Sequence, residues 1–429
     1  MAKEEVLIVG GGLAGLCCAI RLQRAGVPFQ LFEASDAVGG RVRTDLVDGF
    51  RLDRGFQVFL DSYPEARELL DYQALRLRPF LPGALVRFNG RFHTLADPWR
   101  RPGKAVRSVF SPIGTLSDKL RIASFRSSTL RGSLEDQFAT PETTSLEALQ
   151  RHGFSPSIIE RFFRPFLGGI FLDPELLTSS RMLRFVFRMF SLGSATLPSD
   201  GMEAIPRQLA AKLPTENIHL KSRVARVEAR AVTLESGERI DGRHVVLAVE
   251  GNMVRELLGE TTATTTGIAT QAEMASISDT GQAVTCLYFA APSTPVTEPV
   301  LILNGDGEGP VNNVCFPTAV APSYGPPGKT LVSVTVLGMA SDPHRLLSDV
   351  RRQLEQWFGN DASTWSMLRV YTIPFALPRQ FPPALASPRR DLRLASGLLV
   401  CGDHRDNASI NGAMVSGRRA AEAILEAQP

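Results

Sequence analysis

The feature that most constrains this fold is residues 6–33, VLIVGGGLAGLCCAIRLQRAGVPFQLFE. VLIV is a short apolar run without polar alternation, the pattern of a strand buried on both faces of a parallel sheet. It is followed by G-x-G-x-x-G at Gly10, Gly12 and Gly15, by Leu13, Leu16, Cys17 and Ile20 at helical spacing, by Gly26 at the helix end, and by a second strand closed by Glu33. This predicts a βαβ unit of about 30 residues. Its glycines let the backbone turn sharply and approach a pyrophosphate at the helix N-terminus, where unpaired N–H groups favour anions, and Glu33 accepts the ribose hydroxyls. Gly10, Gly12, Leu13, Ala14, Gly15 and Glu33 are the binding candidates of this half. The glycines alone also fit a tight structural turn; the strand, helix and acid around them favour a dinucleotide, without separating NAD from FAD.

A similar arrangement closes the chain. LLVCGD (398–403) reads as another buried strand, with Gly402 and Asp403 at its carboxyl end, and a small-residue helix follows in CGDHRDNASINGAMVSGRRAA (401–421). Between the two ends lie VGGRVRT (38–44), LDRGFQVF (52–59) and DGMEAIPRQLAAKL (200–213). At these residues the chain resembles the flavoproteins built from two dinucleotide-binding halves, a family that includes monoamine oxidases, protoporphyrinogen oxidase and phytoene desaturases. RPFLGGIFLDPELLTSS (164–180) and YTIPFALPRQFPP (371–383) are most similar to its desaturase-like branch.

The resemblance implies a single FAD, its ADP half held by the first unit and its flavin half by the last. It implies that Gly40 and Arg41 lie against the diphosphate or flavin, and that Gly55, Phe56 and Gln57 sit beside the ring. Val224 would contact adenine through its backbone, Gly402 and Asp403 would hold the ribityl or phosphate end, and Ile410, Asn411 and Ala413 would meet the flavin at the last helix. Two plainer readings stay open: Arg41 as a surface ion pair, and Val224 as a buried meander valine.

The implied fold class is α/β. A discontinuous Rossmann-type FAD-binding domain (1–80, 197–260 and 390–429) carries an α+β substrate-binding domain (81–196 and 261–389) made of a helical insertion and a mixed sheet. Residues 217–249 alternate as a β-meander returning to the parallel sheet. SLEALQRHG and SSRMLRFVFRMFSLG mark helices in the insertion, TTATTTG (261–267) reads as a loop, and a further helix begins at Asp342 with Pro343 in its first turn.

The resemblance also implies chemistry: hydride transfer from a largely apolar small molecule to flavin N5, with oxygen or a quinone as electron acceptor. Against the alternative, an amine oxidase releasing hydrogen peroxide, two family positions differ. The strand that carries a lysine near N5 has Thr285 and Cys286 here, and the aromatic-cage tyrosine is replaced by Ser409. A third reading is a redox-neutral isomerase or a non-enzymatic FAD-binding protein. No catalytic acid or base stands out; Arg54, Gln57, Thr285, His404 and Ser409 are the flavin-face candidates. No cysteine lies between Cys315 and Cys401, so the FAD is expected to be non-covalent.

Composition narrows the partners. Lys and Arg number 47 against 44 Asp and Glu, which gives no argument for nucleic acid. The five cysteines are scattered in apolar segments without metal-ligand spacing, so they read as thiols of a reducing compartment and no metal is expected. The first strand starts too early for a signal peptide in this numbering, and no apolar run approaches a membrane span. A cytoplasmic protein follows, with one route to peripheral membrane contact. Between Trp99 and Gly132 eight basic residues face one acid, Asp118, interleaved with Val106, Val109, Phe110, Leu116, Leu120 and Ile122.

Overall fold

The computed structural model describes residues 5–97, 100, 101, 111–259, 270, 271, 274, 277, 280–387, 389–394 and 398–426. The TTATTTG segment lies outside the described residues, as do Trp99, Lys104, Val106, Arg107, Val109 and Phe110 of the basic stretch.

Both ends of the chain meet in one parallel sheet. Its strands run in the order Ile218–His219, Phe29–Phe32, Val6–Val9, His244–Leu247 and Leu399–Val400, every neighbour parallel. VLIV is apolar throughout because both faces are covered. Val6 and Ile8 pack with Leu16, Ile20 and Met414, while Leu7 and Val9 pack with Val224, Val227 and Val232 of the meander. Each such fully buried side chain contributes roughly 2 kcal/mol. The meander Val224–Asp241 forms its own three-stranded antiparallel sheet, and the segments on either side of it return to the parallel sheet. The last helix, Ile410–Glu426, lies directly on the first, Leu13–Arg24: a Cβ on Gly417 would run into the Ala14 carbonyl.

The second sheet has seven strands, in the order Ser366–Pro378, Gly281–Ala291, Thr330–Leu337, Val311–Cys315, Leu301–Asn304, Gly83–Phe88 and Arg91–Ala96. Pairing is antiparallel except between Leu301–Asn304 and Gly83–Phe88, so the sheet is mixed. Residues 81–196 are therefore not purely helical. Asn89 (φ 49°) and Gly90 (φ 72°) form a left-handed Asn-Gly turn that folds 83–96 into a hairpin before the helices begin. The helices that follow include Leu116–Leu130, Ser145–Arg151, Arg164–Phe171 and Ser180–Leu192. On the far face of the sheet lies Pro343–Phe358, capped by the Asp342 carboxylate and burying Val350, Leu354 and Trp357. No described helix is long and apolar enough to cross a membrane.

Candidate functional site

The three fingerprint glycines are needed for different reasons. Gly10 takes φ +109°, and a Cβ there would meet the Ala248 carbonyl at 2.6 Å; one on Gly15 would run into the Gly10 carbonyl. Those two close the strand-to-helix turn on itself. At Gly12, the helix N-cap, the backbone is extended and an added Cβ meets nothing within 4 Å. Protein packing therefore explains Gly10 and Gly15, and open space at a helix N-terminus explains Gly12. That is a cradle for an anionic group. Gly40, at φ +58°, borders the same space: its Cβ would lie 3.4 Å from the Gly12 Cα.

Glu33 stands at the rim of this cradle. Its Oε2 accepts from the Gly11 N–H at 2.7 Å, and its Oε1 from the Ser35 N–H at 2.8 Å and hydroxyl at 2.7 Å. An ionised carboxylate accepts about four hydrogen bonds, so capacity remains for a ribose hydroxyl. The Glu33 carbonyl accepts from the Ser222 N–H at 2.9 Å, which brings the start of the meander alongside. Val224 is buried there with Val9 and Phe32.

The two halves are joined by Arg41. Its Nη2 donates to Asp403 Oδ1 at 2.7 Å, its Nη1 to the Ala376 carbonyl at 2.8 Å, and its Nε lies 3.4 Å from Glu250 Oε1. It is an ion pair, but not a surface one: the Asp403 side chain is only 6% exposed. Burial works against the Arg41 charge, yet Asp403 and Glu250 outweigh it and hold the guanidinium pKa above its usual value. Burial, followed by the opposing pull of Arg41 and the push of Asp403, leaves Glu250 above the ordinary carboxylate range.

The turn after Asp53 closes one side. Gln57 Nε2 donates to the carbonyls of Arg41 (2.8 Å) and Arg54 (3.2 Å), so this side chain ties the 54–57 turn to the Arg41 segment. Gly55 takes φ +89° and Phe56 meets Phe80 edge-on at 6.5 Å. On the other side Gln380, 3% exposed, donates to the Asp406 carbonyl and accepts from the Ala408 N–H, both at 2.9 Å. Asn411 accepts from the Glu65 N–H at 3.2 Å, and Glu65 pairs with Arg418, so the last helix is anchored through its side chains. Ile410 and Ala413 are half-buried on the same helix.

Three of the flavin-face candidates are held by protein partners. Thr285 lies on the opposite face of its strand from Cys286 and Tyr288, and its hydroxyl donates to the Gly338 carbonyl at 2.9 Å. Arg54 is engaged by both oxygens of Asp45, the nearest at 2.9 Å, and Asp45 also accepts from the Tyr371 hydroxyl at 2.7 Å. Ser409 caps the last helix, accepting from the Gly412 N–H at 3.0 Å and donating to Asn407 Oδ1 at 2.5 Å. His404 is different. It is 2% exposed and its Nε2 has no partner among the described residues. Burial pushes its pKa down to about 3, so the imidazole is neutral. An orphaned polar atom next to Asp403 fits a site completed by a bound group.

Reasoning from sequence missed Glu250, Gln380 and, above all, Asp53 with Tyr288 and Tyr324. Among the described residues no group of His, Cys, Asp and Glu could hold a metal ion.

Two candidate half-sites stand on one parallel sheet and are joined across the fold by the Arg41–Asp403 ion pair, an arrangement that fits a single dinucleotide. The sequence profile of the flavin containing amine oxidoreductases matches residues 13–425, and the chain belongs to that family. It is an FAD-dependent oxidoreductase of that superfamily. Protoporphyrinogen oxidase 2, chloroplastic/mitochondrial, of Arabidopsis thaliana is 29% identical over 184 residues, which cover 42% of this chain and only 35% of that protein. Coproporphyrinogen III oxidase of Mycobacterium bovis is 25% identical over 467 residues, covering 100% of this chain and 98% of that protein. An oxidoreductase from Methanosarcina mazei superposes with a TM-score of 0.76 at 19% identity, over 98% of this chain and 100% of that one, and so shares the fold.

Proposed function

We propose that the chain dehydrogenates a largely apolar, cyclic small molecule of the porphyrinogen type, with non-covalent FAD as hydride acceptor at N5. The observation that carries this reading is Ser409. Where the amine oxidases of the family carry a cage tyrosine, this side chain is short and folded into its own helix cap. The names of the two oxidase relatives support the substrate class.

In this reading residues 1–80, 197–260 and 390–429 bind the cofactor, and 81–196 with 261–389 bind substrate. Gly12, Leu13, Ala14 and Gly15 hold the diphosphate, Glu33 the ribose, Val224 the adenine, and Arg41 with Asp403 the phosphate-to-ribityl stretch. Gly40, Gly55, Phe56, Gln57, Ile410, Asn411 and Ala413 enclose the ring, and Gly10 and Gly402 set the turns. When bound, FAD supplies the electron acceptance; the protein orients it and excludes water. Burial pushes the Cys286 thiol up to about 11 and the Cys401 thiol up to about 12, so both stay protonated, which supports non-covalent binding.

Anaerobic mixing of the FAD-loaded protein with porphyrinogens should bleach the flavin band at about 450 nm. Bleaching by primary or polyamines instead overturns the substrate assignment. Reoxidation in the presence of oxygen or of a quinone then decides the acceptor.

The proposal extends to peripheral membrane contact. Leu116 and Leu120 are 63% and 69% exposed one helical turn apart, beside Lys119 and Arg121. Co-sedimentation with anionic vesicles should weaken when both leucines become Ser; unchanged co-sedimentation removes this contact.

A further inference from the structure

The strand Phe50–Asp53 ends in a carboxylate to which the cofactor reading assigns no role. Asp53 is 3% exposed. Its Oδ1 accepts from the Thr44 hydroxyl at 2.5 Å and the Met202 N–H at 2.9 Å, and its Oδ2 from the Tyr324 hydroxyl at 2.9 Å. Its carbonyl accepts from the Tyr288 hydroxyl at 2.8 Å. Thr44 and Met202 belong to segments of the cofactor side. The two phenols come from the seven-stranded sheet and from the turn Pro322–Tyr324 beside it. The next residue opens the 54–57 turn, whose Arg54 N–H donates to the Arg43 carbonyl at 2.9 Å and whose Gln57 reaches the Arg41 carbonyl.

Resting on the FAD reading above, we propose that Asp53 is a positioning residue whose buried carboxylate pins the 54–57 turn, and with it Arg41, in register with the substrate-side sheet. Four donors converge on one residue, and only an ionised carboxylate accepts on both side-chain oxygens without offering a proton in return. An amide of the same shape turns an NH₂ group toward one of the donors.

Titration gives access to the pin. Burial pushes Asp53 up to about 6 despite the Thr44, Met202 and Tyr324 hydrogen bonds, and Glu203 adds to the rise. The other ionisable groups around it are Tyr288, Tyr324 and Cys286, with Arg51 and its partner Asp200 beyond Ser323. Burial holds both phenols well above their ordinary range, so they remain donors throughout. Asp406, on the loop after Asp403, is also pushed to about 6, so a variant is needed to tell the two apart.

The test uses full-length, FAD-loaded protein: wild type, Asp53→Asn and Tyr324→Phe. Visible circular dichroism of the bound flavin is recorded from pH 5 to 8, with thermal unfolding as the control for folding. Wild type should show a flavin transition centred at about pH 6, where burial places the Asp53 carboxyl. Asp53→Asn should lack it. Tyr324→Phe removes one stabilising donor and should move the midpoint up by about half a unit or more. A transition of wild-type amplitude in Asp53→Asn, a pH-independent wild type, or an unmoved midpoint in Tyr324→Phe overturns the proposal. If Asp53→Asn does not fold, Tyr324→Phe decides. A wild-type chain that binds no FAD overturns the cofactor reading first and this inference with it.

Discussion

Gly12→Leu should weaken FAD binding by at least about 100-fold and leave the apoprotein about as stable as wild type, whereas Gly15→Ala should destabilise the domain before any ligand is added. Gly12 has φ −74° and ψ −178°, a conformation open to any residue, and the space beyond its Cα is empty. A leucine there meets no protein atom at its Cβ, so the change in stability should stay within about 0.5 kcal/mol, the usual range for substitutions that disturb no packing. The same side chain fills the position through which a diphosphate must approach the helix N-terminus. Affinity should fall at least about 100-fold, equivalent to roughly 3 kcal/mol. At Gly15 the first added carbon collides with the Gly10 carbonyl, which is backbone and cannot swing away. The strain should cost about 2–4 kcal/mol. Thermal unfolding of the apoproteins and flavin-fluorescence titration separate the two effects. An apoprotein of Gly12→Leu as unstable as that of Gly15→Ala would mean that Gly12 also serves packing.

Replacing Arg41 by Ala should be more damaging than replacing Asp403 by Asn, because of what each leaves behind. Without Arg41, Asp403 and Glu250 face one another with no counter-charge; without the Asp403 charge, Arg41 keeps Glu250 and the Ala376 carbonyl. Breaking a largely buried pair costs about 3 kcal/mol. The loss in Arg41→Ala should depend on pH, with a definite sign. Burial, then Asp403, already raises Glu250 above its unfolded value, and Arg41 is the group that lowers it. Removing Arg41 raises it further. A raised carboxylate binds its proton more tightly when folded, so the destabilisation is fully present above the folded pKa and relieved as pH falls through it. Arg41→Ala should therefore lie closest to wild type near pH 5 and furthest from it near pH 8. Urea unfolding at the two pH values checks this. A deficit that grows toward acid would contradict the assigned role of Arg41.

What was legible in the sequence was local. Strand, glycines, helix and Glu33 follow one another within thirty residues, and each states its need for a parallel sheet or an open helix end. The Gly402–Asp403 end carried the same kind of signal. The face of a strand such as AVTCLYFA was not legible, because both of its sides are apolar and alternation gives no phase; that Thr285 and Cys286 stand on opposite faces comes from the fold alone. Arg54 and Ser409 were drawn to close partners that a family pattern does not display: Asp45 across a hairpin, and the helix N-terminus. The hairpin at Asn89–Gly90 was legible in principle, since Asn-Gly between alternating residues is a turn signal, but the helical patterns downstream of it dominated the reading. Asp53 could not have been found, because its phenol partners stand more than two hundred positions away and only the fold brings them to it.

The central claim is that the two ends of the chain build one cofactor site. Titration of the apoprotein with FAD, followed by flavin fluorescence with ADP as competitor, tests it most directly. One FAD per chain, displaced competitively by ADP and lost in both Gly12→Leu and Asp403→Ala, is the predicted result. Two independent nucleotide-binding events per chain, or FAD binding that survives either substitution at wild-type affinity, would contradict it.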